Sequence, residues 1–148
     1  IILIVVIVTL LIGLNKFLNL PISDDKCSRT NYLKVQKWLD NSRDRVMRVQ
    51  DHGFISMGGS TTIMRERYMF EDLYLPPCFE PIREDMVDYY IQMYKVTQIS
   101  SFGGHSYTVP FLQQAAESQN RVDELMEKIN KCIPNCPVLT NKRTQLNH

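Results

Sequence analysis

The sequence predicts an α+β protein: an N-terminal transmembrane helix followed by a small disulfide-bonded domain of about three helices and two β-hairpins. Three observations carry this. The first residues, IILIVVIVTLLIGL, form an apolar run with no charge before Lys16. Three later stretches repeat apolar residues at helical spacing, and two Gly-Gly pairs sit between β-prone runs. Four cysteines, an even number, lie behind the apolar run, the usual mark of a disulfide framework in an exported chain.

Residues 1–20 read as a transmembrane signal anchor running from Ile1 through Leu14 to Leu20. Phe17, Leu18 and Leu20 extend the apolar run to about 20 residues, roughly a bilayer's width. A cleaved signal peptide needs small residues at its cleavage site, and LNKFLNLPIS from Leu14 to Ser23 has no such pair. A buried core helix is the third reading. The expected location is therefore a single-pass membrane protein whose domain faces the oxidising side: extracellular, periplasmic or virion surface.

Residues 21–26 form a linker, and 27–139 form the exported domain. Without Lys16 the 17 Lys and Arg fall to 16, against 16 Asp and Glu, a balance that argues against electrostatic nucleic-acid binding. Cys27, Cys78, Cys132 and Cys136 are read as two disulfides, with three pairings open. Free thiols are the alternative. Structural zinc fits less well, since Cys27 and Cys78 stand alone rather than in paired knuckles. None of Asn31, Asn41, Asn120 and Asn141 opens a glycosylation sequon.

From Tyr32 to Gln50, Tyr32, Val35, Leu39, Val46 and Val49 recur as one face of an amphipathic helix, with Ser28 or Thr30 as cap. Phe54 to Met64 reads as a hairpin turning at Gly58-Gly59, and the RERYMFEDLYL stretch after it as a strand end closed by Pro76-Pro77. Pro81 suits the first turn of a helix reaching about Tyr94, with Glu84, Asp85 and Asp88 at its positive end. A second hairpin is expected around Gly103-Gly104. Pro110 opens the last helix, Phe111 to Lys131, and residues 140–148 are a polar tail.

No chemistry stands out. Neither Gly-Gly pair has a phosphate-binding frame. His105, with Ser100, Ser101 and Ser106 near it in sequence, lacks a partner acid set by spacing, and His52 fits a helix C-terminus. The acidic group from Glu80 to Asp88 has no calcium-loop pattern. No metal and no cofactor is expected. Ile82, Met86, Tyr89 or Tyr90 and Met93 supply the buried stripe of their helix, yet Tyr and Met are also the side chains that protein interfaces collect, so Tyr89, Tyr90 and Tyr94 with Met86 and Met93 are expected to form the docking interface.

The plan of an uncleaved anchor before a compact four-cysteine domain resembles small envelope proteins of large DNA viruses, the baculoviral per os infectivity factors among them. The resemblance covers architecture over the full length, carries no diagnostic motif and transfers no residue role. A bacterial periplasmic anchor protein shares the plan. The resemblance implies a non-enzymatic, membrane-anchored subunit of an envelope complex, acting on other envelope proteins in viral entry. An anchored hydrolase or redox enzyme is the alternative, as is a secreted helical ligand if the anchor is removed.

Overall fold

The computed structural model describes residues 26–51, 57–102 and 105–136. They form four α-helices: α1 (Arg29–Asp51), α2 (Met57–Glu71), α3 (Pro81–Ser101) and α4 (Val109–Cys132), with a 3-10 turn at His105–Tyr107. Each helix packs on its neighbour in sequence, and α4 closes the ring against α1. Side-chain pairs give the directions. Arg29 reaches Asn130 while Arg43 reaches Asp123, so α1 and α4 are antiparallel. Ser60 meets Thr97 while Arg83 meets the carbonyl of Phe70, so α2 and α3 are antiparallel too. The result is an up-down-up-down four-helix bundle.

The local signals for α1, α3 and α4 are those of the sequence. The Ser28 hydroxyl accepts the Asn31 amide at 3.2 Å, which caps α1. Tyr32, Val35, Leu39 and Val46 are buried beneath it. Pro81 opens α3, which runs on to Ser101, well past Tyr94. Ala115, Val122, Met126 and Ile129 line the inner face of α4.

The two β-hairpins are corrected: the described residues are 82% helical and contain no strand. Gly58 and Gly59 lie in the first turn of α2, and the run after them is helix through Glu71. The buried residues of α2 are Gly59, Ile63, Glu66 and Phe70, spaced four, three and four apart as a helix requires. The period was present, but its third member is a carboxylate, so an apolar count missed it. Gly59, lacking a side chain, lies buried beside Ser60, whose hydroxyl meets Thr97 of α3 at 3.0 Å. The segment expected to begin the second hairpin is the last two turns of α3, where Thr97 and Ser100 are buried. Thr97 satisfies its hydroxyl on the Tyr94 carbonyl at 2.7 Å. Residues 52–56 and Gly103-Gly104 lie outside the described residues.

The single-pass membrane placement is corrected as well. Among the described residues no helix is long and apolar enough to cross a membrane. The run 1–20 that prompted the anchor, with Ile1, Leu14 and Leu20, lies outside the described residues, as do 21–25 of the linker and the tail 140–148.

One end of the bundle is heavily tied. Cys27 bonds Cys78, joining the start of α1 to the α2–α3 connection, and Cys132 bonds Cys136 at the end of α4. All four cysteines are thus paired. The Arg83 guanidinium donates to the carbonyls of Phe70 at 2.8 Å, Glu71 at 2.7 Å and Leu73 at 2.8 Å. It thereby satisfies acceptors that the end of α2 leaves without helical partners, and the Glu80 carboxylate holds it there.

The disulfides should differ in worth. Cys27–Cys78 closes a separation of 51 residues and Cys132–Cys136 one of 4; loop-closure entropy assigns them about 4 and about 2 kcal/mol. Denaturant titration of the Cys27→Ser/Cys78→Ser double variant should show the larger loss. Equal losses would show that chain entropy is not the governing effect. Cys78 is fully buried while Cys132 and Cys136 are half-buried, so mild reductant should open the short bridge first.

Candidate functional site

The residues singled out as an interface lie mostly inside. Met86, Tyr89, Tyr90 and Met93 belong to the core, and Tyr94 packs half-buried against it. Tyr90 closes an aromatic series across three helices: Trp38 of α1 lies 4.8 Å from Phe70 of α2, and Phe70 lies 6.4 Å edge-on from Tyr90 of α3, centroid to centroid. The Tyr89 ring is 5.4 Å from Tyr90.

Beside these rings is a buried polar network. Glu66 is 0% exposed. Arg45 grips it with two bonds, Nε to Oε1 at 2.6 Å and Nη2 to Oε2 at 2.8 Å. Ser42 Oγ donates to Oε2 at 3.0 Å. That uses the single serine proton, so the Tyr90 hydroxyl donates to Ser42 Oγ. The chain Tyr90, Ser42, Glu66, Arg45 thus ties α3, α1 and α2 together. Hydrogen bonding to Glu66, against the cost of partial burial, holds Arg45 above its ordinary value. Burial pushes the Tyr90 phenol well up, opposed by its bond to Ser42. Burial also pushes Tyr89 to about 12, opposed by the charge of Arg43. A carboxylate, a hydroxyl and a phenol in this order could move a proton, but Ser42, Glu66 and Tyr90 are buried, so the network reads as structural.

A shallow cavity of about 180 Å³ lies between α1 and α4, lined by Tyr32, Leu39, Asp40, Arg43, Asp123 and Glu127 among others. It falls short of the roughly 300–1,000 Å³ of small-molecule sites. Arg43 pairs with Asp123 across it, and the buried Arg43 Nε has no hydrogen-bond partner. Ser100 is buried, and Ser101, exposed, donates to the Gln98 carbonyl at 2.6 Å. Ser106 is exposed, and the side chain of His105 lies outside the described residues. Among the described residues no three His, Cys, Asp or Glu are placed to hold a metal.

What sequence reasoning missed is on the outside. Tyr68, Met69 and Tyr74 are exposed at the end of α2 and just after it, and Phe102, Tyr107 and Val109 are exposed around the α3–α4 connection. The signal for the first group was the helical register of α2. Once Ile63, Glu66 and Phe70 face inward, Tyr68 and Met69 must face out.

Comparison of the chain with family models, with curated proteins and with solved structures finds no match.

Two measurements test the network. Arg45→Ala leaves the Glu66 carboxylate buried beside Ser42 alone and should cost about 3 kcal/mol. Glu66→Gln should cost less, because Arg45, a third exposed, can turn to water; the reverse order would refute this account. Tyr89, whose folded value is raised to about 12, contributes fully below the unfolded value near 10 and loses that contribution as pH rises between the two. Tyr89→Phe removes this loss and should move the alkaline unfolding midpoint upward, as followed by circular dichroism.

Proposed function

We propose that this chain is a non-enzymatic subunit of a multi-protein complex in an oxidising compartment, and that it works by docking other proteins on its helical surface. The observation that carries this reading is the group Tyr68, Met69 and Tyr74, large side chains about half exposed on a rigid support. Arg67 lies over the Tyr68 ring at 5.6 Å and bonds Glu71 at 2.9 Å, so the ring is held in place before any partner arrives. The Arg83 bonds and the Cys78 bridge hold the segment behind it. A preorganised surface loses less entropy on docking. Arg65 and Asp72, both exposed, surround the apolar side chains with charge, the arrangement of an apolar centre with a polar rim.

The enzyme alternative has less behind it. Ser42, Glu66 and Tyr90 of the polar network are buried, the cavity is small, and both cysteine pairs are oxidised. A secreted helical ligand is compatible with four helices. However, cytokine-type bundles run up-up-down-down through two long crossovers, and these helices alternate in direction.

The test is a photoreactive side chain at position 74 in the full chain, taken from its native setting with disulfides intact. An adduct to another protein is expected, and it should vanish in a Tyr68→Glu/Met69→Glu variant whose circular dichroism is unchanged. Persistence of the adduct in that variant overturns the reading, as does turnover of a substrate by the isolated chain.

A further inference from the structure

The second exposed group differs in chemistry from the first. Phe102 is 88% exposed, Tyr107 74% and Val109 60%. Phe102 follows the end of α3, the 3-10 turn at His105–Tyr107 packs on both α3 and α4, and Val109 starts α4. The three side chains therefore crown one end of the bundle, opposite the end tied by the disulfides. From Val96 to Ala116 the sequence has no Asp, Glu, Lys or Arg, so the segment that carries the crown is uncharged; Arg48, in the last turn of α1, comes to the same end of the bundle.

We infer that the Phe102, Tyr107 and Val109 crown is a peripheral lipid-contact site, entering the headgroup and upper acyl region of a phospholipid surface. Surroundings, rather than size, favour lipid over protein. Three such side chains expose on the order of 400 Å²; the Tyr68, Met69 and Tyr74 group, each about half exposed, offers no more but is edged by Arg65 and Asp72, which the crown's own segment lacks. A lipid surface demands no complementary shape, and aromatic side chains favour its polar–apolar boundary. The missing charge fits as well, since an ionised group carried into the acyl region is costly.

The nearest cation in sequence sits at a matching depth. Lys95 lies seven residues before Phe102 on α3, about 10 Å back along the axis at the helical rise, with its ammonium 5.4 Å from the Phe111 ring centroid. A crown inserted by roughly 5–10 Å brings Lys95 level with lipid phosphates. This contact needs no spanning helix and is independent of the protein-docking face on α2.

The experiment is Phe102→Trp in the full chain, mixed with phosphatidylcholine vesicles whose acyl chains are brominated near the headgroup. Trp38, half-buried against Phe70 in the bundle, is the internal reference, and the readout is local to position 102, so association through any other part of the chain does not register. Emission from Trp at 102 should shift to the blue and fall roughly twofold relative to unbrominated vesicles at that insertion depth. Wild-type emission should not change, and Val109→Asp added to Phe102→Trp should abolish the quenching. Unquenched emission at 102 overturns the inference, as does quenching that survives Val109→Asp. A photoreactive group at 102 that couples to a protein and not to lipid overturns it in favour of a second protein surface.

Discussion

The bundle is organised around one buried carboxylate. Glu66 sits at 0% exposure in the middle of α2, where an unpaired charge would cost several kcal/mol. Its partners come from the helices on either side of the α1–α2–α3 arc: Arg45 and Ser42 from α1, and Tyr90 through Ser42 from α3. A shift of α2 by one turn would carry the carboxylate about 5 Å from the guanidinium and leave it unpaired among Trp38, Phe70 and Tyr90. Apolar packing alone tolerates many sliding registers. A carboxylate with fixed partners tolerates few, so the network sets register more than it adds stability.

The two ends of the bundle then differ in how firmly they are held. At one end two disulfides and the Arg83 bonds to three carbonyls constrain the chain. Toward the other, Ser60, Thr97 and Gln98 join α2 to α3 through neutral side-chain hydrogen bonds of 3.0 and 3.2 Å. Small side chains there let the helices approach closely, and the connection beyond them carries the exposed crown. The firmly held end carries the exposed Tyr68, Met69 and Tyr74, and the apolar crown stands at the opposite, less tied end.

The proposal of function by surface contact rests on how polar and apolar groups are distributed. The buried carboxylate of Glu66 is taken up by Arg45, and nearer the surface Asp85 pairs with Arg121 at 2.6 Å between α3 and α4. Apart from Met47 on α1, the exposed large apolar side chains fall into two groups with different surroundings, one edged by Arg65 and Asp72 and one with no charge from Val96 to Ala116. That contrast, more than the presence of aromatic residues, is what distinguishes the proposed protein-docking face from the proposed lipid-facing tip.

The sequence by itself determined α1, the first part of α3, and α4, because their buried faces are apolar at helical spacing and their starts carry Ser28, Pro81 and Pro110. It pointed to paired cysteines, with free thiols as the alternative, and left the pairing open; the structure gives Cys27–Cys78 and Cys132–Cys136. Tertiary structure decided α2 and the end of α3, since their inner faces are built from Gly59, Glu66, Thr97 and Ser100, residues that look like turn or surface until a partner helix supplies hydrogen bonds or close approach. It also decided which tyrosines are available. Tyr89 and Tyr90 read as interface from composition, yet Ser42 and the aromatic neighbours draw them inward, while the register that buries Glu66 turns Tyr68 and Met69 outward. Burial of a polar side chain depends on partners distant in sequence: Ser42 and Glu66 are 24 residues apart, Ser42 and Tyr90 48. No local pattern records such pairings, and for that reason the exposed apolar groups became legible only once the helices were packed.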